Sequence, residues 1–125
     1  MDKDKTYSRE IIHLDKEMEI VLITWQPDAE SMPHDHGESS GMVSVISGTI
    51  VEETFDKVTK KFLASSTLKA GDRTFENKDT IHIMKNPSSG EVAKTLHVYI
   101  PPLCGRGIIY LRGTLEKTRE AKESR

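Results

Sequence analysis

Histidine spacing is the first feature of this sequence that points to chemistry. The chain has five histidines, and two of them, His34 and His36, stand one residue apart directly after Pro33. If a strand follows the proline, residues i and i+2 share one face, so both imidazoles point inward. Two adjacent buried imidazoles are costly to leave without a shared partner. The pair therefore predicts a metal site, against the alternative of surface or structural histidines.

A second candidate group lies later in the chain, within the segment "TLHVY". Thr95, His97 and Tyr99 stand at positions i, i+2 and i+4, and this spacing places their side chains on one face of a strand. A simpler alternative remains for each aromatic residue. His97 could be a core histidine bonded to a backbone carbonyl, and Tyr99 could be a core tyrosine with its hydroxyl at the rim.

Short strands separated by glycine and proline turns must position these residues. We predict strands over 19–25, 41–48, 49–55, 61–68, 73–76, 80–84 and 93–100, with one more within 107–113. The second and third of these are predicted to form a hairpin that turns at Gly48. No long segment shows the 3.6-residue period of an amphipathic helix. Many short strands of this kind are typical of a sandwich, jelly roll or barrel.

Composition excludes several classes of protein. The formal net charge of the 125 residues is −2, with acidic and basic residues mixed throughout, which argues against nucleic acid or a membrane surface as a partner. No apolar run approaches the roughly 20 residues of a membrane span, and the charged start predicts no signal peptide. The single cysteine, Cys104, cannot form an internal disulfide and is expected to be a buried apolar residue. These features predict a cytoplasmic protein.

Residues 1–112 are predicted to form one domain, because the chain is short and shows no linker or repeat. Residues 113–125 are almost wholly charged or polar. We interpret them as a solvated C-terminal tail, not as a binding arm.

The spacing of histidines and glycines resembles the two motifs of the cupin family. His34-Asp35-His36 and the Gly41–Gly48 spacing fit the first motif, and the second is matched by Gly71, Asn77, Asp79, His82 and Asn86. The resemblance covers residues 9–103 and implies an all-β cupin jelly-roll β-barrel. It also implies that His34, His36 and His82 are the metal ligands. Gly41 replaces the usual glutamate ligand, and Glu38, two residues after His36, is a weaker candidate for that role.

Among cupins with three histidine ligands, the chain resembles the cysteine dioxygenase family. The resemblance lies in three segments, "YSREII", "ITWQP" and "TLHVYIPPL". It implies that ferrous iron, Fe(2+), is the cofactor and that Arg9 binds the substrate carboxylate, with Tyr7 and Tyr99 also at the substrate. Thr95, His97 and Tyr99 would form a relay beside the iron, with His97 and Tyr99 counted with Arg9 as catalytic. The alternative for Tyr7 and Arg9 is an ordinary surface pair near the chain end, with no role in the site.

The function implied by this resemblance is a thiol dioxygenase that converts cysteine and O2 to cysteine sulfinate. The alternatives are a dioxygenase for 3-mercaptopropionate or another small thiol, and a non-catalytic metal-binding cupin sensor. The partners would be a small thiol and O2, and the protein would be a monomer or weak homodimer. In animal members a cysteine at the position of Gly41 is crosslinked to the tyrosine, so Tyr99 is expected to be unmodified here. The same resemblance predicts a cis bond at Ile100-Pro101.

Overall fold

The computed structural model describes residues 7–31, 33–35, 37 and 39–103, together with the backbone of 108–109. Over these residues the chain forms strands and no helix, so the predicted all-β fold is confirmed. The strands are β1 (Tyr7–Leu14), β2 (Glu19–Trp25), β3 (His34–Asp35), β4 (Ser40–Ser47), β5 (Thr49–Asp56), β6 (Phe62–Lys69), β7 (Arg73–Glu76), β8 (Thr80–Lys85), β9 (Ala93–Ile100) and β10 (Ile108–Ile109).

The strands form two sheets of five strands each. The first sheet has the order β1-β2-β9-β4-β7 and the second has the order β10-β3-β8-β5-β6. Alternate side chains of β2, β4 and β9 are buried, as expected for strands with one face in a core. The largest apolar cluster includes Val21, Ile23, Trp25 and Val43 from the first sheet and Ile50 from the second. The two sheets therefore enclose a common interior, which is also where the polar site lies.

Most of the predicted strands are confirmed. β2, β7 and β9 have the predicted bounds, β4 and β6 are shifted by one residue, and β5 and β8 extend one residue further at the C-terminal end. β1, which pairs with β2 at the edge of the first sheet, is not predicted from the sequence. The sequence of β1 lacks the alternation of apolar and polar residues that marks a half-buried strand. This agrees with its position, because all eight residues of β1 are exposed.

The predicted hairpin at Gly48 is wrong. β4 pairs with β7 and β9, whereas β5 pairs with β6 and β8 in the other sheet. Gly48 has a φ of 79°, in the left-handed region that favours glycine. A Cβ there would lie 2.8 Å from the Cα of Ala93. The glycine therefore carries the chain from one sheet to the other while passing close to β9.

The Ile100-Pro101 bond is cis, as predicted. The carbonyl oxygen of Pro101 accepts a hydrogen bond from the Ser39 hydroxyl at 2.6 Å. This contact connects the end of β9 to the segment that follows the predicted histidine pair.

Several predictions concern residues that lie outside the described part of the chain. They are those for His36, Glu38, Cys104 and the tail 113–125, and the domain boundary at residue 112 falls there too. Among the described residues, no helix is long and apolar enough to cross a membrane.

Candidate metal centre

A buried chain of hydrogen bonds runs along the inner face of β9. Thr95 Oγ1 lies 2.7 Å from Nε2 of His97, and Nδ1 of His97 lies 2.9 Å from the Tyr99 hydroxyl. From β2, the indole N–H of Trp25 donates to Thr95 Oγ1 at 2.9 Å. Each of the four side chains is 3% exposed or less. The predicted common face is confirmed, and both nitrogens of His97 contact side-chain hydroxyls, so it differs from a histidine held by a backbone carbonyl.

The contact between Trp25 and Thr95 favours one direction of donation along this chain. The Thr95 oxygen accepts the indole proton, so its own hydroxyl proton is best directed at Nε2 of His97. Nε2 then carries no proton, and Nδ1–H donates to the oxygen of Tyr99. Burial, helped by nearby positive charges, lowers the pKa of His97 to about 3, so the ring is neutral near pH 7, as this arrangement requires. The phenolic proton of Tyr99 therefore points away from His97.

Tyr99 is a hydrogen-bond donor and not a base. Burial raises the pKa of its hydroxyl far above the usual range, and the carboxylate of Glu76 raises it further. The positive charge of Arg9 opposes both effects without cancelling them. The phenol therefore keeps its proton at any physiological pH and can donate a hydrogen bond into the interior.

Tyr7 and Arg9 lie on the same side of the first sheet as this chain of hydrogen bonds. Tyr7 is paired with Trp25 and Arg9 with Ile23, and paired residues point to the same face. Both partners are buried, so the two β1 side chains face inward at the exposed edge of the sheet. The Tyr7 and Trp25 rings are 4.7 Å apart. Because the charge of Arg9 lowers the pKa of His97, the two residues interact electrostatically.

Two of the three histidines predicted as metal ligands lie side by side in the second sheet. His34 of β3 is the register partner of His82 of β8, and their ring centroids are 4.5 Å apart with a tilt of 52°. His82 is buried and His34 is half-buried. His36 lies outside the described residues. His13, by contrast, is exposed and bonded to Asp15 at 2.8 Å, so it takes no part in the site.

Two buried glutamates that were not predicted from the sequence converge on His82. Nδ1 of His82 lies 3.0 Å from Oε2 of Glu52 and 2.8 Å from Oε1 of Glu76. Glu52 comes from β5 of the same sheet as His82, whereas Glu76 comes from β7 of the facing sheet. The two side chains are 6% and 5% exposed. Burial opposes the charge on His82, but the carboxylates outweigh it and raise the pKa of His82 to about 9.

Among the described residues, Glu52, Glu76 and His82 form the group whose ligand atoms could hold a metal ion, all within 4.8 Å of one another. The interior around His82 therefore offers imidazole nitrogen and carboxylate oxygen, which suit a divalent transition metal. The three-histidine site predicted from sequence contains only neutral ligands. It omits the two carboxylates that lie against His82, one of the predicted ligands.

A signal for Glu52 was present in the sequence. In "TIVEETF" the inward position Ile50 is followed two residues later by Glu52, and the period of a strand places both on one face. The signal for Glu76 was misleading. In "RTFE" the apolar Phe75 suggests the inward position, but Phe75 is 71% exposed and Glu76 points inward.

The sequence matches the family described as "Cysteine dioxygenase type I" over residues 1–106. It is 32% identical to cysteine dioxygenase type 1 of Rattus norvegicus over 91 residues, which is 66% of this chain and 44% of the rat protein. The chain thus spans less than half the length of this relative.

Two solved structures resemble the fold. TT1209 of Thermus thermophilus gives a TM-score of 0.66 at 19% identity, over 77% of this chain and 84% of that one. The cupin domain of Schizosaccharomyces pombe Cnp3 gives a TM-score of 0.66 at 8% identity, over 80% of this chain and 64% of that one. These likenesses concern the fold alone, and they confirm the predicted cupin fold.

Proposed function

This chain belongs to the cysteine dioxygenase type I family, and we propose that it is a non-haem iron dioxygenase for a small thiol, with cysteine as substrate and cysteine sulfinate as product. One observation carries the proposal. The buried chain of hydrogen bonds from Trp25 through Thr95 and His97 ends on a protonated Tyr99, in the same interior as the His34–His82 pair. A protein that only bound a metal would have no need of such a relay.

The proposed metal ligands are His34, His82 and His36. The described residues fit a divalent cation, since His34 and His82 are adjacent and the buried carboxylates of Glu52 and Glu76 supply negative charge that compensates its two positive charges. Ferrous iron, when bound, would couple the oxidation of the thiolate to the reduction of O2, so that both oxygen atoms pass to the sulfur. No organic cofactor is then required, because the thiolate supplies the electrons.

The side chains of the first sheet would bind and orient the substrate. Arg9 would bind the substrate carboxylate through its planar set of donors, and Tyr7 would support it from the next inward position of β1. Tyr99 would donate its phenolic hydrogen bond to the substrate or to an oxygen atom at the reacting centre. His97 and Thr95 would hold that hydroxyl in one orientation, because each donates to the next member of the relay.

A cytoplasmic location is part of the same proposal, supported by the single cysteine of the sequence. The protein would act as a monomer or weak homodimer on a small thiol and O2, without nucleic acid or a membrane.

The test is anaerobic loading with ferrous iron, followed by measurement of oxygen uptake with cysteine, 3-mercaptopropionate and cysteamine. We expect uptake of one O2 for each cysteine consumed, with the sulfinate identified by mass spectrometry. Faster turnover of 3-mercaptopropionate would keep the reaction type but change the substrate. A protein that binds iron and shows no thiol-dependent uptake would instead be a metal-binding sensor, and the enzyme proposal would be wrong.

A further inference from the structure

The space beside Gly41 is occupied by a side chain from the neighbouring strand. Gly41 of β4 is the register partner of Glu76 of β7 on one side and of Tyr99 of β9 on the other. A Cβ at Gly41 would lie 2.9 Å from Cγ of Glu76 and 3.1 Å from two ring carbons of Tyr99. Contacts this short require the neighbouring atoms to move. The Cγ of Glu76 lies near the backbone end of its side chain, so it cannot move without shifting the rest of that side chain. A larger residue at 41 would therefore displace Glu76.

Glu76 crosses the interior from this position to reach the second sheet. Its Oε1 lies 2.8 Å from Nδ1 of His82, and its side chain is 5% exposed. Its other oxygen, Oε2, is buried and makes no hydrogen bond within the described residues. Glu52 approaches the same nitrogen from β5 at 3.0 Å and is held in turn by the hydroxyl of Thr74, which donates to its Oε1 at 3.2 Å.

These contacts fix how the ring of His82 is presented. An imidazole has two nitrogens on different edges of the ring, so Nε2 faces another direction when Nδ1 donates its proton to a carboxylate. A metal binding at Nε2 would displace the second proton that the carboxylates favour on the metal-free ring. A carboxylate on the far nitrogen of a ligand histidine fixes the ring and increases the basicity of the ligating nitrogen. The two glutamates meet both requirements from opposite sheets.

We propose that Gly41 and Glu76 act as a unit in which the glycine admits the glutamate, and that Glu76 together with Glu52 is a positioning residue that orients His82 to bind the metal through Nε2. This inference rests on the proposed metal site of the preceding section. It assigns to the carboxylates a role at the far nitrogen of a ligand, not a place among the ligands.

The first experiment measures the affinity of the purified protein for cobalt(II) by competition with a chromophoric chelator. Glu76→Gln and Glu52→Gln should each weaken binding by about 10–100-fold. Glu53→Gln is the matched control, because Glu53 is also buried and adjacent in sequence but points to the other face of β5, where it pairs with Lys85 at 3.5 Å. Glu53→Gln should leave the affinity unchanged. Wild-type affinity in both Glu76→Gln and Glu52→Gln would overturn the proposal.

The second experiment tests whether Gly41 and Glu76 act together. Gly41→Ala should weaken cobalt binding, because its Cβ displaces Glu76. In a Glu76→Ala background the Cγ that this Cβ would meet is absent, so adding Gly41→Ala should cause little further loss. If the fold-losses in cobalt affinity caused by Gly41→Ala and Glu76→Ala instead multiply in the double variant, the two residues act independently. The proposal that they act as a unit would then be wrong.

The third experiment identifies which nitrogen of His82 binds the metal. In the cobalt(II) protein, ligation through Nε2 leaves a proton on Nδ1 of His82, visible as a strongly shifted proton signal that disappears in D2O and is lost in a His82→Ala variant. Ligation through Nδ1 would also leave one exchangeable proton, on Nε2, but it would add a non-exchangeable Cδ2 proton of His82 with a comparable shift. A second, non-exchangeable signal of this kind that is lost in His82→Ala would mean that Nδ1 is the ligand and would overturn the proposal. None of these measurements uses turnover, so a protein that passes them and consumes no O2 refutes the dioxygenase function alone.

Discussion

The indole N–H of Trp25 donates to the hydroxyl oxygen of Thr95 at 2.9 Å, between residues that are 70 positions apart in the chain. This one contact favours one direction for the relay, because it occupies an acceptor position of the threonine oxygen and leaves the hydroxyl proton for His97. It also joins β2 to β9 within the core, so stability and the orientation of Tyr99 depend on the same group.

Thr95→Val should therefore reduce both stability and turnover. Valine keeps the shape of threonine, but the buried indole N–H of Trp25 and Nε2 of His97 each lose their partner. We expect a loss of about 1–3 kcal/mol in the free energy of unfolding, measured by urea denaturation of the metal-free protein. Thr95→Ser keeps the hydroxyl and should retain most of the turnover. Equal oxygen uptake by the valine and serine variants would show that the relay has no part in the reaction.

Tyr99→Phe should reduce turnover while leaving the metal site intact. The variant keeps the ring that packs beside Gly41 and removes the hydroxyl at the end of the relay. If that hydroxyl donates one hydrogen bond to the reacting centre, kcat should fall at least about tenfold, which corresponds to about 1.4 kcal/mol. Cobalt affinity should not change, in contrast to Glu76→Gln. Unchanged kcat would remove Tyr99 from the catalytic set.

His97 makes stability depend on pH in a defined direction. Its pKa in the folded protein is about 3, below the usual value near 6.5, so the unfolded chain binds more protons between these values. The stabilising effect of a neutral His97 is complete above pH 6.5 and is lost as the pH falls toward 3. The slope can reach about 1.4 kcal/mol per pH unit.

The measurement is the difference in unfolding free energy between the metal-free wild type and His97→Gln from pH 7 to pH 4. Glutamine can bond both neighbours but does not titrate, so the wild type should lose stability relative to the variant as the pH falls. A constant difference across that range would mean that His97 is not held neutral by its surroundings.

The strands around the site were largely predictable because their local signals agree with their surroundings. β9 alternates buried residues with exposed or half-exposed ones throughout, so the common face of Thr95, His97 and Tyr99 follows from its period alone. β1 has no such alternation, and its place depends on backbone pairing with β2. The crossing at Gly48 was not predictable in the same way, since a positive-φ glycine suits a hairpin and a change of sheet equally well.

The residues around the metal site could be predicted from the sequence only in part. His34 and His82 could be connected by motif spacing, but the carboxylates that face His82 come from two strands in different sheets, and only the packing of the sandwich brings them to one nitrogen. Glu76 also breaks the apolar-inward pattern, because its neighbour Phe75 points to solvent. A charge buried against pattern requires a compensating partner, and that partner is visible only in the folded chain.

Substrate choice should depend on Arg9. It is exposed on the edge strand β1 but paired with the buried Ile23, so it lies at the rim of the interior and faces it. Two charge-assisted hydrogen bonds to a carboxylate at such a partly solvated position are each worth about 1.5 kcal/mol, the lower end of their range. Together they correspond to about 100-fold in kcat/KM.

Arg9→Ala should lower kcat/KM for cysteine by up to that factor and should change kcat/KM for cysteamine little, because cysteamine has no carboxylate. Arg9→Lys should restore only part of the loss, since an ammonium group cannot make the paired contact of a guanidinium. Lys94→Ala is the charge control, because Lys94 is exposed on the outer face of β9 in the same sheet, and it should affect neither thiol. Oxygen uptake at several concentrations of each thiol gives kcat/KM for the wild type and the three variants. If Arg9→Ala lowers kcat/KM equally for both thiols, the residue acts through its long-range charge or through the fold of β1. The substrate carboxylate must then be bound elsewhere.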